Sequence, residues 1–404
     1  MTCLIALAFF VRALPASAQP FELTRARIAE LLEAAPASRA AEARVAVSRA
    51  GMTAAGVLSL ENPVVSGMGG IRLNENGSRP FAGTATLSWP VDTGGKRGTR
   101  KEAASAEQQE ARVGADEQKR RLLLAALLQH ALVLRDQQAL AIAEARKANT
   151  DRVVVSARRR REAGNAPQLE VSLATLQEGR DGAAALAAAG ERDASLLRLL
   201  AMLGLPPERG AAVGGALVPE GQAPELALML RQTPQRVDVR AANARVQAAQ
   251  ARASRERAAG APTINLLAQY ERDDGANIAM LGIAIPLPVL NANSIAKATS
   301  AAEVDVAKAE QLMTRNEAES DIRELYTRFE ATQRAREVLA PTAAAAKEAV
   351  ALAVRGYELG ENDLASVLLV HREALEAERA LVDVEYAHAA AKLQLLVAAG
   401  RVPQ

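Results

Sequence analysis

Apolar positions in this chain follow two periods, and the change from one to the other divides it. From Phe81 to Val91 the alternation is clean. Phe81, Ala85, Leu87, Trp89 and Val91 fall on one side, and Ala82, Thr84, Thr86 and Ser88 on the other. A period of two sends successive side chains to opposite faces of a strand. The run before it, Val64 to Leu73, is separated by Asn74-Glu75-Asn76-Gly77-Ser78, residues that build turns. Residues 62–91 therefore predict a β-hairpin with one apolar side and one of small polar residues. The alternation then stops. After Gly94-Gly95-Lys96-Arg97-Gly98 the chain runs to Ala163 without proline and with one isolated glycine, Gly114. Ala, Leu, Arg, Glu and Gln dominate this run, residues that lose little on entering a helix. Roughly seventy helical residues span about 105 Å. No compact core needs such a rod, and a coiled coil or helical tube is expected.

The plan occurs twice. Phe21 to Leu58 is expected to be helical, with a break near Pro36 and weak points at Gly51 and Gly56. The hairpin and rod follow, the rod reversing at Gly164-Asn165-Ala166-Pro167. Gln168 to Leu203 returns and stops at Gly204-Leu205-Pro206-Pro207. Residues 205–234 begin rich in Pro and Gly and are expected to be a linker. The second pass has a helix over Gln235 to Ala259 and a hairpin over 263–287. Asp273-Asp274-Gly275 is the hairpin's turn, and its second strand spans Asn277 to Leu287. Leu281, Ile283, Ile285 and Leu287 share a face of that strand. A rod from Ala292 to Leu359 follows, broken only by Pro341 and Gly356, and returns after Gly360-Glu361-Asn362-Asp363. Ala41 aligns with Ala242 at an offset of 201, Pro63 with Pro262 at 199, and Pro90 with Pro286 at 196. Gly164 with Gly360 and Gly204 with Gly400 also give 196. So small a drift marks a tandem duplication, with one repeat over 19–204 and the other over 235–404.

Composition sharpens this picture. Only 2 % of residues are aromatic, too few for an ordinary globular core but enough for helices packed through Ala, Leu and Val. A net charge of +2 with Arg and Glu intermixed gives no reason to invoke nucleic acid. Residues 1–18 have the form of a secretory signal, with an apolar stretch from Leu4 to Val11 and Ala16-Ser17-Ala18 before Gln19. The only cysteine, Cys3, falls within it. Beyond it no apolar run is long enough for a transmembrane helix, so any membrane role rests on the strands. Strands of about ten residues suit an outer membrane, but four cannot close a barrel, and open edges are not tolerated in lipid. Closure requires several copies of the chain. The sequence by itself does not set their number.

Three segments resemble the outer-membrane efflux protein family, the TolC-like trimeric channel-tunnels of Gram-negative exporters. They are Leu87-Ser88-Trp89-Pro90-Val91-Asp92-Thr93-Gly94-Gly95-Lys96-Arg97, Ile283-Ala284-Ile285-Pro286-Leu287-Pro288-Val289-Leu290, and Gly356 to Leu364. The first is most similar to the heavy-metal branch that works with resistance-nodulation-division pumps. The resemblance implies a mostly α-helical homotrimer with a twelve-stranded β-barrel above an α-helical periplasmic tunnel. It also implies an adaptor (membrane fusion protein) and an inner-membrane resistance-nodulation-division pump as partners, outer-membrane lipid around the barrel, and heavy-metal cations as cargo. Drug efflux or protein secretion through a similar trimer is the alternative. A soluble periplasmic coiled-coil scaffold is the alternative of another class, and it leaves the apolar hairpin faces unexplained.

In that frame Gly164 and Gly360 mark the periplasmic tip, although each also serves as an ordinary helix stop. Glu170, Glu361 and Asp363 are candidate aperture carboxylates, with Leu368 as an apolar alternative. Some relatives carry aspartates six and nine positions after the second tip glycine, where this chain has Ser366 and Leu369. Phe81, Leu87, Trp89, Leu281, Ile283 and Ile285 are candidates to face lipid. Arg158 to Arg161 would offer charge to a neighbouring helix or to the adaptor, or simply form a solvated face. Lys96, Arg97 and Arg100 sit where the barrel meets the helices. His130, His371 and His388 are not spaced to hold a metal. No phosphate-binding loop and no nucleophile with a paired base is present, so an enzyme is not expected, nor a cofactor.

Overall fold

The computed structural model describes residues 21–208 and 210–401. The expected signal segment, 1–18, lies outside the described residues. The fold is predominantly helical with a small sheet at one end. The described residues open with β1 (Phe21–Leu23), α1 (Arg25–Ala34) and α2 (Pro36–Ala54). The hairpin β2 (Val64–Ile71) and β3 (Phe81–Val91) follows, then the long α3 (Lys96–Glu162) and its return α4 (Gln168–Leu203). After β4 (Ala211–Val213), α5 (Leu226–Gln232) and a 3-10 turn come α6 (Val237–Ala259), β5 (Ile264–Asp273), β6 (Ala276–Ala284), α7 (Ser294–Leu359) and α8 (Leu364–Ala398). At 67 and 66 residues, α3 and α7 each reach about 100 Å.

Three expectations need correction. Phe21 to Leu23 is a strand, not the start of a helix. It pairs in parallel with β4, inside the segment expected to be a bare linker. The pair is stabilised from below, because His130 of α3 donates from Nε2 to the Leu23 carbonyl at 3.1 Å. Leu23 itself enters a core with Ile28, Leu127, Leu199 and Leu393. The first helical stretch ends at Ala54, short of Leu58. The fourth strand ends at Ala284, not Leu287, because Pro286 and Pro288 lack the N–H a ladder needs.

The sheet order is β2-β3-β5-β6, antiparallel throughout. Here the two hairpins lie side by side, each followed by its long helix. Gly94 makes the first of these junctions. Its φ of +64° lies in the left-handed region, and any Cβ there would collide with Ala261. Arg97 donates from Nε and Nη2 to the Gly56 carbonyl at 3.1 and 3.0 Å. Arg100 pairs with Asp92 at 3.1 Å and donates to the Ala55 carbonyl. These guanidinium groups thus hold the chain between α2 and β2 against the start of α3.

Candidate functional site

Both long helices end at the same pole, opposite the sheet, and by the same chemistry. Gly164 and Gly360 have φ of +76° and +82° with open space where a Cβ would be, so conformation alone selects glycine there. Asn165 N–H donates to Arg160 O at 2.7 Å and Gly164 N–H to Arg161 O at 2.9 Å. Glu361 N–H to Gly356 O at 2.8 Å and Gly360 N–H to Tyr357 O at 3.1 Å repeat the pattern. This is a Schellman closure at each turn, and it uses up carbonyls that a helix end leaves free. Gly356 has a separate reason to be glycine: a Cβ there would strike the Asn362 side chain.

Behind the turns Val153, Val154, Ala157, Ala174, Val354 and Val367 pack the two helical hairpins together. Tyr357 is fully buried among them, and its hydroxyl donates to Glu170 Oε2 at 3.1 Å. The Arg160 guanidinium lies 4.8 Å from the centre of the Tyr357 ring. Burial and the neighbouring Glu170 carboxylate push the Tyr357 phenol up to about 12, while Arg160 opposes the shift. The hydroxyl therefore stays a donor at any physiological pH. A second tie is bidentate: Arg152 Nε and Nη2 donate to the two Glu358 oxygens at 3.0 and 2.9 Å. At this pole α4 is held to α7, and α3 to α7.

Gly164, Glu170, Gly360, Asp363 and Leu368 are thus gathered at one end, but with different employments. Asp363 caps α8, accepting from Ser366 N–H at 2.8 Å, and that bond holds its carboxyl below the usual carboxylate range. Glu361 is exposed in the turn. Leu368 is half-buried against the apolar cluster. Of the four consecutive arginines only Arg160 turns inward; Arg158, Arg159 and Arg161 are exposed. Tyr357 carried no role in the sequence reading, although an aromatic residue in the last turn of a rod this poor in aromatics was a usable signal.

At the other pole the register brings the candidate lipid-facing residues onto one face. Leu281, Ala268, Leu87 and Val65 form one row across the four strands, and Ile283, Leu266 and Trp89 form the next. Phe81 lies on the same face, opposite Ile71. The other face carries Ser66, Thr84, Thr86, Ser88, Gln269 and Glu271. Ile285 is exposed but lies past the end of its strand.

The histidines are dispersed. His130 is buried under β1, and burial, with the Arg25 charge nearby, lowers its pKa to about 4. His388 stacks on Phe329 at 4.8 Å, and His371 is buried beside Arg146 and Asp181. Among the described residues no group of three or more His, Cys, Asp or Glu side chains could hold a metal ion. Among them, too, no helix is long and apolar enough to cross a membrane.

A family model described as "outer membrane efflux protein" matches residues 22–205 and 232–401. Among solved structures the chain is similar to VceC, an outer membrane protein of Vibrio cholerae, at 20 % identity and a TM-score of 0.77. That likeness covers 93 % of this chain and 96 % of VceC. A membrane protein from Pseudomonas aeruginosa gives 17 % identity and 0.78, covering 98 % of this chain and all of its own length. CusC gives 18 % and 0.67, covering 93 % and 92 %. No curated protein matches the chain.

Proposed function

Because the chain belongs to the outer membrane efflux protein family, we propose that it is the exit duct of a tripartite export system, built from three copies. Membership makes it an outer-membrane channel with a large periplasmic part, a passive conduit and not an enzyme. The soluble-scaffold alternative is thereby set aside. We read residues 19–204 and 235–404 as two copies of one repeat, joined by 205–234.

One observation carries the trimer: the sheet has one apolar face and, among the described residues, nothing pairs with the outer edge of β2 or of β6. Backbone groups left open at such edges are costly in lipid. Joining β2 of one copy to β6 of the next removes every edge. Three copies supply twelve strands, within the range of known barrels. Phe81, Leu87, Trp89, Leu281 and Ile283 then face lipid, and the long helices line a periplasmic tunnel ending at Gly164 and Gly360. A periplasmic adaptor and an inner-membrane resistance-nodulation-division pump are the proposed partners at that end, because a passive duct takes its driving force from a pump. Heavy-metal cations are the proposed cargo, resting on the likeness of the Gly94-Gly95-Lys96-Arg97 segment to that branch. Drugs or secreted proteins are the alternative.

The test is the mass and planar-bilayer conductance of the detergent-purified protein, wild type beside Glu170→Ala. A trimer whose small conductance rises in the variant is the expected result. A trimer indifferent to Glu170 removes the aperture role from that residue, and a monomer without conductance overturns the duct.

A further inference from the structure

The groove between α3, α4 and α8 carries a charge that a passive duct does not need. Arg146, Arg180, Arg372 and Arg379 line a cavity of about 660 Å³, and Asp181 is the one carboxylate facing them. Asp181 is already committed. It forms an ion pair with Arg146, whose Nε lies 2.8 Å away, and accepts from the Thr150 hydroxyl at 2.7 Å and the Gln177 amide at 2.9 Å. Arg372 leans on its exposed neighbour Glu373 at 2.9 Å. Among the described residues Arg180 and Arg379 form no ion pair, and both are exposed. Beside the groove lies a second irregularity. His371 is on α8 between the lining residues Leu368 and Leu375; it is 4 % exposed, and among the described residues neither ring nitrogen has a hydrogen-bond partner. A buried polar group without a partner is rare and calls for a reason. Burial, reinforced by the Arg146 charge, keeps this ring below the ordinary histidine pKa, although Asp181 opposes the shift.

The walls are apolar where the arginines are not. Leu368, Leu369 and Leu375 line them, with Ala143, Ala184 and Ala365 giving width. A few convergent polar groups in an apolar cleft of a few hundred Å³ is the usual composition of a small-molecule site. Guanidinium forks match planar or trigonal oxyanions better than any other side chain does. We propose that this groove binds a small organic anion. Its carboxylate or sulfonate head is held by Arg180 and Arg379, and its apolar body lies against Leu369 and Leu375. A compact ligand fits better than an acidic protein segment, because the groove is bounded by three helices of one subunit and floored by the buried Asp181. The site stands on this geometry alone, whatever the channel exports.

The experiment is titration calorimetry of the full protein in an uncharged detergent. The probes are naphthalene-2-sulfonate and its neutral analogue naphthalene-2-sulfonamide. Wild type is expected to bind the sulfonate saturably, one per chain, to prefer it over the sulfonamide, and to weaken as salt rises. Arg180→Gln with Arg379→Gln is expected to weaken binding by about tenfold or more. Arg334→Gln, a charge removed from an exposed position of α7, should leave it unchanged. Leu369→Trp fills the groove without touching charge and should abolish binding, so the proposal stays testable if the double variant fails to fold. Absence of saturable binding, preference for the sulfonamide, or full affinity in the folded double variant overturns it. Binding of a polyglutamate peptide without binding of the sulfonate would assign the arginines to a macromolecular partner and also overturn it.

Discussion

Glu170 and Tyr357 lie 187 positions apart in sequence and meet only because both rods end at one pole. A phenol donating to a carboxylate is a charge-assisted bond, and such bonds contribute about 1.5–3 kcal/mol when dry. The half-buried Glu170 reduces this toward the lower end. Tyr357→Phe keeps the packed ring and removes only the donor. It is expected to loosen α4 from α7 and, in the proposed duct, to raise conductance with the melting temperature nearly unchanged. Equal conductance in wild type and variant would remove the bond from any gating role. His130 offers a prediction of another kind. With a folded pKa of about 4 against about 6.5 unfolded, the unfolded chain binds the extra proton between those values. Stability from this group is therefore complete above about pH 6.5 and is lost as pH falls toward 4, by up to about 3 kcal/mol. Thermal unfolding in detergent should show the wild type losing more between pH 7 and pH 5 than His130→Leu does. Parallel losses would contradict this. Glu170 could be found in the sequence because its distance from Gly164 is fixed along one chain segment. Its partner could not, because residue spacing is silent about contacts made across two hairpins.

At the level of elements, the rods, turns and strands were legible where a local rule decides them. Period two gave β3, and proline and glycine gave the ends of α4 and α7. The misses follow from long-range causes. β1 is three residues of Phe-Glu-Leu that any window reads as helix, and it is a strand only because β4 lies beside it. Legibility also fails at the junctions, where the sequence places Arg97 and Arg100 but not the backbone carbonyls of Gly56 and Ala55 that they hold. Gly94 is the sharpest case. Gly94→Ala adds a methyl that meets Ala261 at a φ of +64°, a conformation that costs an L-residue about 1–2 kcal/mol before any collision. The variant is expected to yield less assembled protein and to melt earlier, whereas Gly114→Ala, mid-helix with open space, should be neutral or stabilising by up to about 1 kcal/mol. If the two alanine variants behave alike, the junction is looser than described.

For the whole molecule the proposed closure can be tested without a channel assay. The only cysteine is Cys3, so introduced pairs report cleanly if the leader is removed. Ser66→Cys on β2 can be combined in turn with Ala276→Cys, Ile278→Cys or Met280→Cys on β6. All four positions share the polar face of the sheet. At least one pair is expected to give, on oxidation, a ladder of covalent species ending at three chains. A ladder that continues past three would mean an open assembly, and monomer throughout would mean that the edges do not meet.

The two open edges of the sheet also have a consequence in time. A single chain that has left the inner membrane must carry β2 and β6 uncovered until other copies arrive, and this encounter slows as the chain becomes scarce. β2 itself is weak bait, because Gly67, Gly69 and Gly70 give a stray strand little side chain to grip. β6 has one glycine and a row of large apolar groups, so off-pathway aggregation should begin there.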